Sequence, residues 1–166
     1  GSDGFISLRE AIIAANNTNG ADEIFLPSGI YILSLVGNGE GNAFTGDLDL
    51  KSDLSITGNS AIDTIIDANR IDRVFDIQSH SVTLKNLTIK NGFAPEGGGI
   101  LVGGSSEATL QDVAIINNEA TSNGGGIASN SQLLVTRVLL EGNTANEGGG
   151  LSIDNGASTT TIVNAT

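Results

Sequence analysis

The chain has no cysteine, methionine or tryptophan, one tyrosine and one histidine in 166 residues. Without thiols it has no disulfide framework and no thiolate metal or redox centre. Basic residues are also scarce, seven against nineteen acidic ones, for a net charge of −12. That imbalance opposes nucleic acid and anionic membrane surfaces by plain Coulomb repulsion. No apolar run approaches the roughly 20 residues that a transmembrane helix needs, and no signal peptide opens the chain. The Gly1-Ser2 start fits a cloning remnant as well as a cut from a longer chain, so the missing signal says nothing about export.

What is abundant is glycine, 23 residues, together with Asn, Ser, Thr and Ile. Such a composition suits a core of small aliphatic side chains in narrow layers joined by many turns. Internal repetition is the strongest signal. Gly97-Gly98-Gly99 recurs as Gly124-Gly125-Gly126 and as Gly148-Gly149-Gly150, each followed by an aliphatic residue, Ile100, Ile127 or Leu151. A strand-like run precedes each triplet, so that Leu84, Leu110 and Val135 fall in register, as do Ile89, Ile115 and Leu140. Repeats of roughly 20 to 30 residues match one coil of a parallel β-solenoid. The triplets suit bends that need positive φ or close backbone approach. Asn118 and Asn143 occupy one turn in successive coils, with Gly92 in the coil before, and are expected to form a structural ladder.

Earlier coils are less regular. Residues 24–33 suggest two strands around a Pro-Ser-Gly turn, residues 48–58 and 64–77 further circuits, and residues 36–46, rich in Gly and Asn, an excursion from the solenoid. The opening differs from all that follows. Ser7-Leu8-Arg9-Glu10 is a capping-box pattern, and Leu8, Ile12 and Ala15 share one helical face. Ser7, Leu8, Glu10 and Ile12 therefore predict a short amphipathic helix over 7–16 that covers the end of the hydrophobic column. The fold expected is all-β: a right-handed parallel β-helix of about seven coils with an N-terminal capping helix. It forms a single domain, residues 1–20 being the cap and residues 21–166 the coils.

Asp3 to Ile12, DGFISLREAI, followed by Ala15-Asn16, resembles the N-terminal signature of CSLREA-type domains that open β-helical Gly-Gly-Gly-Ile repeat proteins. The later repeats resemble those of polymorphic outer-membrane proteins and large bacterial adhesins. Ile6 stands where that family usually has Cys, which leaves the fold expectation intact and removes any redox role. The resemblance implies a large secreted or cell-surface bacterial protein and no catalytic residues. The function expected is an extracellular structural or adhesive module whose partners are a cell-surface protein or a glycan. Thr159 to Thr166 reads as the start of another coil, with Asn164 in register with Asn86, so either a truncated longer repeat protein or end-to-end self-assembly into fibres is expected.

Because parallel β-helices also host polysaccharide lyases and hydrolases, an enzyme is the competing expectation. Its candidates are Asp67, Arg70, Asp72, Arg73 and Asp76, with Asp63 nearby, where paired carboxylates could divide acid and base roles or hold Ca²⁺ while Arg stabilises charge. The same Arg/Asp pairs would equally tie adjacent coils, which is the reading preferred. Asn86, Asp112 and Arg137 should stack, with Asp112 and Arg137 as a cross-coil pair. His80 lies in a turn with no second His or nucleophile motif. Asp47, Asp49, Asp154 and Asn155 could supply oxygen ligands to Ca²⁺, although neither the EF-hand loop nor the calcium nonapeptide is present; no other cofactor is expected. A flat Thr array for ice binding fails at Leu134, which interrupts the column of Thr83 and Thr109.

Overall fold

A computed structural model describes residues 4–154 and 159–166. It opens with helix α1 (Leu8–Ala15) and continues in passes of short strands. The first pass is β1 (Asp22–Leu26), β2 (Gly29–Ile32) and β3 (Leu48–Leu50), and the next is β4 (Leu54–Gly58), β5 (Thr64–Asp67) and β6 (Phe75–Gln78). Then come β7 (Ser81–Lys85), β8 (Thr88–Lys90), β9 (Phe93–Glu96) and β10 (Ile100–Gly103), repeated by β11 (Glu107–Gln111), β12 (Ala114–Ile116), β13 (Glu119–Asn123) and β14 (Ile127–Ser129). The chain finishes with β15 (Gln132–Thr136), β16 (Leu139–Glu141), β17 (Leu151–Ile153) and β18 (Thr160–Val163).

Each of the first five passes contributes one strand to each of three parallel sheets, and β18 begins a sixth. The sheet orders are β1-β4-β7-β11-β15-β18, β2-β5-β8-β12-β16 and β3-β6-β10-β14-β17. This is a parallel β-solenoid. Among the described residues the largest sheet holds six strands, one fewer than the seven coils expected. The reason lies in the length of each pass: aligned residues Asp22, Leu54, Val82, Ala108, Leu133 and Thr160 stand 25 to 32 residues apart. A short fourth pair, β9 with β13, adds a ridge that the repeat pattern did not disclose.

The interior is a column of aliphatic layers. Leu84, Leu110 and Val135 stack in the first sheet, Ile66, Ile89 and Ile115 in the second, and Phe75, Ile100 and Ile127 in the third, all buried. Alternation puts the intervening residues outside. The corners between sheets hold residues at positive φ in matching places: Asn86, Asp112, Arg137 and Asn164 at one, and Gly97, Gly124 and Gly148 at another. At Gly99 the constraint is close approach, since a Cβ there would lie 2.5 Å from the Gly126 carbonyl oxygen of the next pass.

Asn118 is fully buried at a corner. Its Oδ1 accepts from the Gly92 N–H at 2.8 Å, and its Nδ2 donates to the Ile89 carbonyl and to Asn143 Oδ1. Asn143 Nδ2 in turn donates to the Ile115 carbonyl at 2.8 Å. At the N-terminal end Ser7 caps α1, its hydroxyl accepting the Glu10 N–H while the Glu10 carboxylate accepts the Ser7 N–H. Leu8, Ile12 and Ala15 face the column, and α1 packs against β3.

Replacing Asn118 by Ala strands the Gly92 N–H in the interior, removes a donor to the Ile89 carbonyl and leaves a cavity, and is expected to cost about 2–5 kcal/mol. The exposed Asn146, which donates to the Thr121 carbonyl, should lose no more than about 1 kcal/mol on the same change. Thermal unfolding of both variants checks this, and equal losses would contradict the ladder's role.

Candidate functional site

Asp49 and Asp76 are aligned in β3 and β6 and alternate with core residues, so both project from the outer face of the third sheet. The 36–46 excursion folds back there and buries Asp49. Asp49 Oδ2 accepts the Ala43 N–H at 2.7 Å, and Gln78 Nε2 bridges Asp49 Oδ1 (2.8 Å) and Asp76 Oδ2 (2.9 Å). Just before β3, Asp47 pairs with Arg73 Nε at 2.9 Å. Asp72 lies in the same corner, its Oδ1 accepting the Arg73 N–H.

Arg9 holds the excursion down. From α1 its guanidinium donates to the carbonyls of Ala43 (2.7 Å), Gly46 (2.5 Å) and Asp47 (2.8 Å). Glu40 closes the loop on itself by accepting the N–H groups of Asn42 and Thr45. Neither Arg9 nor Gln78 was found from the sequence. Arg9 falls beside the Leu8–Ile12–Ala15 face, and a lone charge there signals solvent until the excursion is seen to cover it.

Burial dominates the electrostatics of this network. It pushes Asp47 up to about 8, with the Asp72 and Asp49 carboxylates adding to it and Arg73 opposing. It raises Asp49 to about 6 against the pull of the Ala43 N–H, and it raises Asp72 as well.

The enzyme candidates do not form one constellation. Asp72, Arg73 and Asp76 belong to this network on the third sheet. Asp67 ends β5 in the second sheet, where its carboxylate accepts from Asn91 Nδ2 and pairs with Lys90 at 3.3 Å. Arg70 sits over the Phe93 ring, 5.2 Å from its centroid, and pairs with Glu119. Asp63 closes the preceding turn through Asn59 and Ser60. Asp112 and Arg137 form a bidentate cross-coil pair at 2.6 and 2.7 Å. His80 is exposed in its turn, 3.4 Å from Asp53.

Of the calcium candidates, Asp47 and Asp49 come together with Asp76, carboxylate oxygens of all three lying within 4.8 Å of one another. Asp154 follows β17, far along the stack from β3, and Asn155 lies outside the described residues. Asp49 already accepts from the Ala43 N–H and from Gln78, Asp76 accepts from Gln78, and Asp47 is ion-paired with Arg73. A cation such as Ca²⁺, which takes 6–8 oxygens, would compete with those donors.

No family model, curated protein or solved structure matches the chain. The likeness of the opening motif to CSLREA-type domains therefore rests on its residues alone, of which Asp3 lies outside the described ones.

A carboxyl with a higher pKa in the fold than in the unfolded chain, where Asp titrates near about 3.9, keeps a proton that unfolding releases. Stability from Asp47 and Asp49 is thus fully present below about pH 4 and is lost as pH rises through about 6 and 8. Asp112, held low by Arg137, and Asp63, held low by Ser60, act oppositely and lose their contribution as the solution is acidified below about pH 4. Urea midpoints should decline from mildly acid to alkaline pH, and Asp47→Asn should flatten that decline; an unchanged slope would contradict the assignment to Asp47.

Proposed function

We propose that the chain is an extracellular structural and adhesive module of a bacterial surface protein, a stiff rod whose outer faces meet a cell-surface protein or a glycan. The observation that carries this reading is the rung-to-rung repetition of the corners, the Asn118–Asn143 ladder and the aliphatic column, which gives stiffness that extends with each added pass. The acidic residues support it too, because Asp67, Asp72 and Asp76 are engaged on two different sheets in holding backbone, corner or neighbouring side chains. The reading takes the crossovers as right-handed, as parallel strand connections almost always are. It extends to stacking of modules end to end into fibres, for which the repeated corners of the later passes supply the geometry.

An enzyme acting on extracellular polysaccharide is the competing class. Incubation with a panel of acidic and neutral polysaccharides, with and without Ca²⁺, is expected to leave chain lengths unchanged. Depolymerisation that disappears in Asp72→Ala would overturn the structural reading.

A second reading, cation binding, is favoured by the approach of Asp47, Asp49 and Asp76. If it holds, millimolar Ca²⁺ raises the thermal midpoint of the wild-type chain and leaves Asp49→Asn unmoved. A midpoint insensitive to Ca²⁺ counts against it.

A further inference from the structure

The dipeptide Asn-Gly occurs five times in the chain, at Asn19, Asn38, Asn91, Asn123 and Asn155. Asparagine before glycine is prone to react with its own backbone, because glycine has no Cβ to hold its nitrogen away from the asparagine Cγ. Nothing in the sequence ranks the five. The fold treats them differently, Asn155 lying outside the described residues.

At Asn91 and Asn123 the rungs hold the nitrogen that would attack. Gly92 is buried and its N–H donates to Asn118 Oδ1 at 2.8 Å, while Asn91 Nδ2 donates to both Asp67 carboxylate oxygens at 3.0 Å. A Cβ at Gly92 would run into the Gly98 carbonyl oxygen, so the backbone there has no room to turn. Gly124 is buried as well, and its N–H donates to the Glu147 carbonyl of the next pass at 2.9 Å. Asn19 and Asn38 stand elsewhere, one just beyond α1 and the other in the excursion. Both asparagines and the glycines that follow them are exposed, and none of the four makes a hydrogen bond among the described residues. A Cβ built on Gly20 or Gly39 meets nothing within 4 Å. Each of these nitrogens is free to turn toward the side chain before it.

We infer that Asn19 and Asn38 are sites of spontaneous deamidation, and that hydrogen bonding within the rungs keeps Asn91 and Asn123 intact. The glycine nitrogen gives up its proton to hydroxide and attacks the asparagine Cγ. The N–Cγ bond forms, the Cγ–Nδ2 bond breaks, and Nδ2 leaves as ammonia with a proton taken from water. Water then opens the cyclic imide at either carbonyl, leaving an aspartate or an isoaspartate linkage. The consequence is greatest at Asn38. A carboxylate there stands close in sequence to Glu40, whose own carboxylate closes the excursion by accepting the Asn42 and Thr45 N–H groups. An isoaspartate linkage also lengthens the backbone of the loop whose Ala43 N–H is held by Asp49.

Incubation of the folded chain at mildly alkaline pH, followed by peptide mass spectrometry, tests this. Cleavage after glutamate puts the four asparagines on separate peptides. Because a hydrogen-bonded nitrogen must be released before it attacks, Asn19 and Asn38 are expected to convert at least about fivefold faster than Asn91 and Asn123. In a parallel incubation in guanidinium chloride the four rates should converge, since every Asn-Gly is then open. Gly39→Ala should slow conversion at Asn38 in both incubations and leave Asn19 unchanged. Conversion at Asn91 or Asn123 as fast as at the exposed sites, or a difference that survives in guanidinium chloride, would overturn the inference. Retention of the amide at Asn19 and Asn38 in the folded chain, or an Asn38 rate indifferent to Gly39→Ala, would overturn it equally.

Discussion

Hydrogen bonding between successive passes is the constraint on which everything else rests. A parallel strand cannot satisfy its backbone groups within its own pass, so each pass must present donors and acceptors in the register of the next. That requirement makes the corners as important as the strands. A corner that turned differently from the one below it would shift every residue after it by one position and exchange core for surface. Left-handed residues recur at matching corners for this reason, glycine where another backbone passes closely and Asn, Asp or Arg where side chains have room. Asn118 and Asn143 serve the same end by hydrogen-bonding the backbone of a corner from the side chain.

In the excursion of residues 36–46 the chain leaves that discipline, and polar chemistry gathers there. A loop that packs on a sheet brings backbone groups out of water and must find partners for them. Arg9 supplies donors for four carbonyls from the cap helix, and Asp49 supplies an acceptor for one N–H from the sheet. The same cover removes water from Asp47 and Asp49 and raises their pKa values. Cap, excursion and carboxylates are thus one arrangement. It gives the N-terminal passes a pH response that the later, more regular passes lack a comparable cluster to produce among the described residues.

Much of this was legible in the sequence. The register of Leu84, Leu110 and Val135, the glycine triplets, the Asn ladder and the Ser7–Glu10 cap were readable because each is a local or periodic property: a side chain at a repeating position meets the same surroundings in every pass. The number of passes was not, because the turns vary in length and the excursion consumes residues without adding a rung. Nor was the division of Asp67, Arg70, Asp72, Arg73 and Asp76. Those residues are close in sequence, but the corner between β5 and β6 sends them to two sheets, and which neighbours they meet is decided by residues up to 49 positions away, as Arg70 meets Glu119. The sequence by itself determined the solenoid, its capping helix and its acidic character, since period, capping pattern and charge are additive along the chain. Only the tertiary structure decided that Arg9 is buried and that Asp47, Asp49 and Asp76 converge, because each depends on where an irregular loop comes to rest, and an irregular loop has no period to read.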